Sequence, residues 1–292
     1  MWKHAVRRLL ASIALLGFAG ASQAAPALQL DVYNPGATAA FPVTSVLVSG
    51  EKEAILVDAQ FARPEAAKLV ERIRQSGKRL TTIYISHGDP DYYFGLQTLN
   101  AAFPQARIVA SAPTVAHIKA TMAAKMAYWG PQMGDDAPQK LIVPEVMQGT
   151  QLTLEGRELQ VIGLDGPQAQ RSFVWIPSIK AVVGGAVLSN NIHVWMADTQ
   201  SEASHQHWLA TLDTIVKLGP VTVVPGHFLP GKLKAVQAAE FTAGYIKSFD
   251  VQAAKAKDAA ALIASMKALY PDLGEVSSLE LSAKVAKGEQ QW

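Results

Sequence analysis

Three side chains that could bind a metal ion lie at alternate positions of one short segment. His87, Asp89 and Asp91 follow a run of β-branched and aromatic residues, with Gly88 and Pro90 between them. Side chains two residues apart in extended backbone share a side, so these three could converge on one ion. Asp-Pro and Gly-Asp are also common turn formers, in which the aspartate bonds nearby backbone amides. The spacing alone therefore leaves both a metal site and an ordinary turn open.

A second histidine follows another apolar run much later in the chain. His227 ends the segment Pro225-Gly226-His227, directly after Val221 to Val224. If both runs are buried strands that end at one sheet edge, the imidazoles of His87 and His227 reach the same cleft. The chain has no cysteine, so a metal there would bind imidazole, carboxylate and water, which suits zinc, manganese or iron.

The order of these motifs resembles that of the metallo-β-lactamase superfamily. In that family, a strand ending in Asp precedes a His-x-His-x-Asp-His loop, which is followed by Gly-His-Thr, Gly-Asp and Pro-Gly-His motifs. The similar segments here lie in the same order and span nearly all of residues 25–292: Leu56-Val57-Asp58, Ser86 to Gly95, Val182 to Ala186, and Val223 to His227. The resemblance implies an α/β fold, an αββα sandwich of two mixed β-sheets with helices on the outer faces.

Within the first loop, the resemblance implies an altered ligand set. The family's first histidine falls on His87, its second on Asp89 and its aspartate on Asp91. Its last loop histidine falls on Tyr92, which is a poor zinc ligand. The histidine of the Pro-Gly-His motif falls on His227.

Further along, two of the family's ligands are missing. The Gly-His-Thr histidine falls on or close to Gln168, with Asp165 the nearest substitute, and the metal-bridging aspartate falls on Ala186. The resemblance therefore implies one divalent metal with an open position, zinc before manganese or iron, rather than two. The ligands that this implies are His87, Asp89, Asp91, His227 and Asp165.

Catalytic roles follow from the same resemblance. A single ion would lower the pKa of bound water and polarise a substrate oxygen. Asp91 is the candidate general base if it is not itself a ligand, and Tyr92 or Tyr93 could donate to a developing oxyanion. Each tyrosine also fits a purely structural position. By the family pattern, Asp58 supports the loop through hydrogen bonds.

The elements expected to position these residues alternate between strand and helix patterns. We predict strands at Leu28 to Tyr33, Val43 to Val48, Ala54 to Val57, Thr81 to Ile85, Ile108 to Ala110, Gln151 to Leu154, Glu158 to Ile162, Ser172 to Ile176, Ala181 to Val183 and Val221 to Val224. We predict helices at Pro64 to Gln75, Leu96 to Ala102, Thr114 to Ala127 and Glu202 to Leu218. Trp129 to Pro144 is expected to form a loop, and residues 232–292 two helices broken near Asp250 to Asp258. We expect residues 25–292 to form a single domain.

The first 24 residues have the pattern of a signal peptide. Lys3, Arg7 and Arg8 precede the apolar run Leu9 to Ala19, and Ser22-Gln23-Ala24 follows, which predicts cleavage before Ala25. A membrane anchor is the competing interpretation, but a spanning helix needs about 20 apolar residues. We therefore expect a periplasmic or secreted protein with no anchor in its mature form.

Charge excludes one class of partner. Removing the three basic residues of this segment leaves 23 Lys and Arg of the original 26 against 24 Asp and Glu. No basic block occurs later in the chain, so the sequence offers nothing for nucleic acid. A small-molecule substrate is the expected partner.

Two functions remain open. The first is hydrolysis of an ester, lactone or amide by water that a single metal activates. The second is a non-catalytic binding protein whose cleft, lined by Trp129, Trp175 and Trp195, holds an apolar ligand. Hydrolysis of β-lactam antibiotics is a weaker third hypothesis, because the two-zinc ligand set is incomplete.

Other histidines and acids carry weaker expectations. His193, Trp195 and Asp198 could approach the site or simply tie a loop by hydrogen bonds. His205 and His207 are expected to be surface or packing residues, and His117 is expected on an ordinary helix face.

Overall fold

The structure is a computed structural model that describes residues 27–230 and 235–292. The signal peptide predicted at residues 1–24 lies outside these described residues. No helix of the described residues is long and apolar enough to span a bilayer.

The first sheet has six strands, which lie side by side in chain order. The first three strands pair antiparallel, and the third to the sixth strands are parallel to one another. Parallel neighbours need crossover connections, and helices provide them here. The strands are β1 (Gln29–Tyr33), β2 (Ser45–Ser49), β3 (Glu53–Val57), β4 (Arg79–Ile85), β5 (Arg107–Ala110) and β6 (Glu145–Val146), and the connecting helices are α1 (Arg63–Gln75), α2 (Pro90–Tyr93), α3 (Leu96–Ala102) and α4 (Ala112–Met133).

The second sheet has five strands in the order β12, β10, β9, β8, β7. All its pairs are antiparallel except that of β10 with β12. A separate short parallel pair joins β11 to β13, with Ser189 opposite His227. The strands are β7 (Gln151–Leu154), β8 (Arg157–Ile162), β9 (Phe173–Ile176), β10 (Ala181–Val183), β11 (Ser189–Asn190), β12 (Thr222–Val223) and β13 (His227–Phe228), and the helices are α5 (Glu202–Lys217), α6 (Gln237–Lys255), α7 (Ala259–Leu269) and α8 (Val276–Ala286).

Three apolar clusters hold the layers together. The central cluster lies between the two sheets, where side chains such as Ile55 and Val57 meet Val161 and Val174. The opposite faces of the two sheets are covered by helices, the first by α1, α3 and α4 and the second by α5 to α8. Alternate residues of each strand therefore face different clusters, as the period of two requires. The expected αββα sandwich is confirmed.

Three local expectations were wrong. Helix α4 continues to Met133 through Pro131, where we expected a loop from Trp129. Trp129 and Met133 pack against the first helix-covered core, and this burial offsets the hydrogen bond that proline removes. The segment Val221 to Val224 is not a buried strand, because β12 lies at the edge of its sheet and Val221 is 69% exposed.

The third difference lies in the region after residue 232. It holds α6, α7 and α8 rather than two helices. The second break falls between Tyr270 and Glu275, where Pro271 and Gly274 interrupt the apolar pattern. Proline and glycine are the expected helix terminators, so the sequence did carry a signal for this boundary.

Candidate functional site

The ends of β3 and β4 are joined by a buried carboxylate. Asp58 follows β3 with a φ of 66° and is fully buried. Its carboxylate accepts hydrogen bonds from the backbone N–H of Ser86, at 2.8 Å, and from the Ser86 hydroxyl, at 2.7 and 2.9 Å. Burial raises the pKa of Asp58 to about 7, although the hydrogen bonds from Ser86 and Gly185 lower it. Asp58 thus fixes the start of the loop that carries His87.

Two imidazole–carboxylate pairs stand next to one another at this edge. The Nε2 atom of His87 lies 2.9 Å from Oδ2 of Asp89, and Nε2 of His227 lies 2.6 Å from Oδ2 of Asp91. The backbone carbonyl of Gln170 lies 3.1 Å from Nδ1 of His87. The imidazole of His87 is therefore engaged at both of its nitrogens before any ligand arrives.

Tyr92 lies between the two pairs. Its ring makes edge-on contacts with His87 and His227, at centroid distances of 5.2 and 5.4 Å. Its hydroxyl lies 3.0 Å from Nδ1 of His227. If Tyr92 donates to Nδ1, then Nε2 of His227 carries the proton and donates to Asp91, which satisfies both donors. The result is a hydrogen-bonded chain from Tyr92 through His227 to Asp91.

Two glycines allow the loops to approach this closely. A Cβ atom at Gly226 would lie 2.0 Å from the carbonyl oxygen of Gly185 and 2.8 Å from the hydroxyl of Tyr92. A Cβ atom at Gly88 would lie 2.5 Å from the His117 ring. At both positions a larger residue would therefore clash with a neighbouring loop or side chain.

A lysine lies between two of the carboxylates. The ammonium of Lys125, on α4, is 3.6 Å from Oδ1 of Asp89 and 3.5 Å from Oδ1 of Asp198. Burial lowers the pKa of Lys125, but the charges of Asp89 and Asp198 raise it by more, so the pKa lies above its usual value. His117 approaches the same Asp89 oxygen at 3.8 Å. Lys125 therefore supplies a fixed positive charge inside the cleft.

The pKa values of Asp89 and Asp198 are shifted in opposite directions. Burial raises the pKa of Asp89, but the charge of His87, hydrogen bonds from His117 and His87, and the charge of Lys125 together hold it well below its usual value. Burial and the charge of Asp89 raise the pKa of Asp198. Asp89 is thus the firmly ionised partner of Lys125.

Arg171 brings a second cation to the cleft. It is 5% exposed, and its guanidinium lies over the indole of Trp208, 4.4 Å from the ring centroid. Its backbone pairs with His87 in an isolated bridge, which places it beside the first imidazole. Its Nε and Nη1 atoms have no hydrogen-bond partner among the described residues.

Aromatic rings form another part of the lining of this cleft. Phe41 lies 5.2 Å from Trp129 and 6.3 Å from Trp195, and Trp195 lies 5.4 Å from Trp292. The indole N–H of Trp292 donates to Asp198 at 2.7 Å, and the Lys125 ammonium lies 4.7 Å from its ring centroid. All these rings line the cleft together with the charged residues. The cleft therefore has both aromatic and charged lining residues, and Trp292 contacts both kinds.

One of the tryptophans expected in the cleft is elsewhere. Trp129 and Trp195 line it, as expected. Trp175 is instead a core residue of β9, packed under the helices of the second sheet. Strand β9 alternates between two buried faces, so Trp175 has no route to the cleft.

The candidate metal ligands do not form one group. His87, Asp89, Asp91 and His227 are all described, yet no set of three or more His, Asp or Glu side chains in the described residues is arranged to hold an ion. The four residues form two separate pairs, His87 with Asp89 and His227 with Asp91. The ammonium of Lys125 is the cation next to Asp89. As arranged, this donor set does not fit a resident metal ion.

The remaining positions of the expected set also contribute no ligand to the cleft. The Asp165 side chain is 93% exposed, 4.0 Å from His207, and does not line the cleft. Gln168 is buried, and its backbone carbonyl accepts from the N–H of Arg171. Ala186 does line the cleft, where a methyl group offers no ligand atom.

Sequence reasoning missed Lys125, Arg171 and Trp292. His117, Thr121 and Lys125 are spaced by four residues and so share one face of a helix, which was the available signal for Lys125. Arg171 stands alone in its loop, and no spacing relates Trp292 to the site. Both reach the cleft only through tertiary packing.

The weaker candidates divide between the cleft and the core. Asp198 belongs to the cleft, and Trp195 donates to it at 2.5 Å. His193 is buried, with its Nδ1 atom 3.0 Å from the Tyr245 hydroxyl, and it also contributes to the lining of the cleft. His205 is a packing residue, as expected, and links Asp250 at 2.7 Å with the carbonyl of Thr199 at 2.5 Å.

Comparison with known proteins gives a consistent result. The model of the "Metallo-beta-lactamase superfamily" matches residues 38–227. A metallo-beta-lactamase family protein of Thermus thermophilus superposes with a TM-score of 0.62 at 18% identity, covering 88% of this chain and 91% of that one. A metallo-beta-lactamase from Pontibacter korlensis gives a TM-score of 0.56 at 16% identity, over 75% and 99% of the two chains. At these identities the structural likeness shows the fold alone.

One curated relative is similar over a shorter stretch. The uncharacterized protein YobT of Bacillus subtilis (strain 168) is 38% identical over 74 residues, which is 25% of this chain. The matched stretch spans 31% of that protein's own length.

Proposed function

The chain belongs to the metallo-beta-lactamase superfamily, which provides a hydrolase-like scaffold, and on that basis we propose that it hydrolyses a small organic molecule in this cleft. The substrate class is an ester, lactone or amide, and the enzyme acts in the periplasm or outside the cell after residues 1–24 are removed. The observation that carries the proposal is the hydrogen-bonded chain Tyr92–His227–Asp91. It ends on a carboxylate that lines the cleft, and His227 engages only one of the two oxygens of that carboxylate.

Asp91 is the general base of the proposed reaction. Its other oxygen, Oδ1, takes a proton from water as the water oxygen bonds to the substrate carbonyl carbon. His227 holds Oδ2 at 2.6 Å and so fixes the direction in which Oδ1 points. When the tetrahedral intermediate collapses, the carbon–oxygen or carbon–nitrogen bond breaks. The proton on Asp91 then passes to the leaving alcohol or amine, and the base is regenerated.

Lys125 supports the proposed oxyanion. Its ammonium is already fixed between Asp89 and Asp198, so little reorganisation is needed when negative charge develops on the substrate oxygen. Removing one such donor from a hydrolase lowers the rate by roughly 10²–10³-fold. Tyr92 acts through His227 rather than on the substrate, because its hydroxyl is engaged by Nδ1.

The sequence-based expectation of one zinc, manganese or iron ion gives a different mechanism on the same scaffold. It requires His87, Asp89 and His227 to leave their present partners and turn to one point. In the structure each Nε2 atom faces a carboxylate instead. We therefore assign water activation to Asp91, and metal dependence separates the two mechanisms.

The test uses the mature protein, treated with chelator and then assayed against aryl esters, lactones and anilides. We expect turnover that survives chelation and falls roughly 10²–10⁴-fold in Asp91→Asn, because a general base contributes about that much. Asp213→Asn is the matched control, since Asp213 is an exposed residue of α5 paired with Lys217. Activity that disappears with chelator and returns with one equivalent of zinc would overturn the metal-free mechanism. Unchanged activity in Asp91→Asn would overturn the role of Asp91.

A non-catalytic ligand-binding protein is the second candidate function. The continuous aromatic wall of Phe41, Trp129, Trp195 and Trp292 favours it, because such a wall binds apolar groups whether or not chemistry follows. In that case Asp91→Asn would bind ligands as well as the unchanged protein does, and no compound of the panel would be turned over.

A further inference from the structure

We infer that the ligand of this cleft is an organic anion whose carboxylate or phosphate group binds Arg171. The inference rests on the proposed function, because it names the substrate class of the same cleft. Arg171 is one of the residues that line the cleft, it is 5% exposed, and two of its guanidinium nitrogens, Nε and Nη1, are buried without a hydrogen-bond partner among the described residues.

A buried guanidinium in this state is costly for the folded protein. A charged donor removed from water loses its hydration, and the free energy is recovered only through hydrogen bonds or an ion pair. The contact with Trp208, at 4.4 Å, satisfies the face of the guanidinium but not the N–H groups at its edge. The unsatisfied edge is therefore the feature that a ligand must complete.

The four acids that line the cleft, Asp89, Asp91, Asp198 and Glu275, do not complete it, because Nε and Nη1 of Arg171 have no partner among the described residues. Three of the four acids pair with other groups. Asp91 pairs with His227, and Asp89 with His87 and Lys125. Asp198 accepts from Trp195 and Trp292 and lies near Lys125. Burial and the charge of Asp89 raise the pKa of Asp198, and the more distant charge of Arg171 lowers it.

Arg171 differs from the other cation of the cleft in its contacts. Lys125 lies between Asp89 and Asp198, and each imidazole faces its own carboxylate. Within the described part of the chain, Arg171 remains as the cleft cation that no carboxylate contacts. A guanidinium is the side chain best suited to carboxylate and phosphate oxygens, since its planar array of donors matches their geometry.

The remaining walls indicate the shape of such a ligand. Arg171 pairs with His87 through a backbone bridge and lines the same cleft as the rings of Trp129, Trp195 and Trp292. In the inferred complex the anionic group binds Arg171, the body of the molecule packs on these rings, and its reactive carbonyl lies near Asp91. The inferred substrate is an amphipathic acid with an ester, lactone or amide bond.

The test compares matched probes by isothermal titration calorimetry. The probes are 3-phenylpropionate, phenyl phosphate and the neutral 3-phenylpropionamide. We expect the chain to prefer at least one anion over the amide by roughly 10- to 100-fold, the size of a hydrogen bond to a charged group. Arg171→Met should abolish this preference. Arg107→Met, at an exposed position of β5, is the control and should keep it.

Each outcome decides a separate question. Equal affinity for all three probes in the unchanged protein overturns the inference, and this comparison needs no variant. If Arg171→Met fails to fold, Arg171→Lys replaces it, because lysine keeps the positive charge but lacks the planar array of donors. A preference for the anions that is undiminished in Arg171→Lys contradicts the geometric argument. Hydrolysis without anion preference would overturn the inference alone. Anion preference without turnover of any ester, lactone or amide would overturn the proposed function alone.

Discussion

The imidazole of His227 lies 2.6 Å from the carboxylate of Asp91, although 136 residues separate them in the chain. The two residues come from β13 and α2, which follow different sheets of the sandwich. Both residues line the cleft, and their contact joins the two halves of the fold by a polar link. Loss of this contact should therefore affect chemistry and stability together.

The hydroxyl of Tyr92 can be tested against that of its neighbour. Tyr92→Phe removes the hydroxyl that contacts Nδ1 of the half-buried His227, so we expect a loss of about 0.5–1.5 kcal/mol in the free energy of unfolding and reduced turnover. Tyr93→Phe is the matched control, since the Tyr93 hydroxyl is buried without a hydrogen-bond partner among the described residues. Urea denaturation measures both variants. Equal losses would show that the Tyr92–His227 bond contributes nothing specific.

Replacing Lys125 should lower turnover. Lys125→Met keeps most of the apolar stem but removes the charge between Asp89 and Asp198. We expect kcat/KM to fall by roughly 10²–10³-fold, as for the loss of one oxyanion donor. Lys119→Met is the control, because Lys119 lies on the exposed side of the same helix. A rise in KM alone, with kcat unchanged, would contradict a role in the transition state.

The buried imidazole of His193 predicts a pH dependence of stability. Burial, followed by the charge of Lys267, lowers the pKa of His193 from 6.5 to about 4. The unfolded chain therefore binds a proton at this residue before the folded protein does, and the free energy of unfolding should fall as the pH drops from 6.5 towards 4. His193→Gln should show a shallower fall in this window. Parallel pH profiles for the two proteins would refute the assignment, and measurements at pH of about 8, where the imidazole is neutral in both states, give the baseline.

The protein should not bind two zinc ions tightly. Gln168 and Ala186 stand where the family has a histidine and a bridging aspartate, and neither an amide nor a methyl group replaces them well. Titration of zinc into chelated protein, followed by calorimetry, measures the stoichiometry. Two tight sites would mean that Asp165 or another group leaves its present position to act as a ligand.

The order of the motifs predicted the fold through its resemblance to a known family, and the apolar runs before the two histidine motifs predicted that these motifs meet. His87 and His227 each lie within three residues of the end of an apolar run, and Tyr92 lies between their rings at 5.2 and 5.4 Å. The alternation of strand and helix patterns likewise predicted the layers. Both kinds of signal depend on periodicity and on turn residues, which a single sequence displays.

The charge balance of the site could not be predicted in this way. Lys125 lies on a helix, where a lysine is usually solvated, and only the approach of Asp89 and Asp198 gives it a role. Whether His87 and Asp89 bind an ion or each other depends on side-chain rotation, which spacing does not record. The burial of Arg171 likewise depends on Trp208, a residue of a distant helix.

The indole of Trp292 connects the segment after α8 to the lining of the cleft through its hydrogen bond to Asp198. A ligand that packs on this ring binds only while the segment is docked, so it stabilises the docked form by mass action. Backbone amides near Trp292 should therefore exchange their hydrogens more slowly as ligand concentration rises, by a factor of one plus the ratio of ligand concentration to Kd. The segment would then report occupancy of the cleft, and exchange mass spectrometry could rank candidate compounds without any assay of turnover.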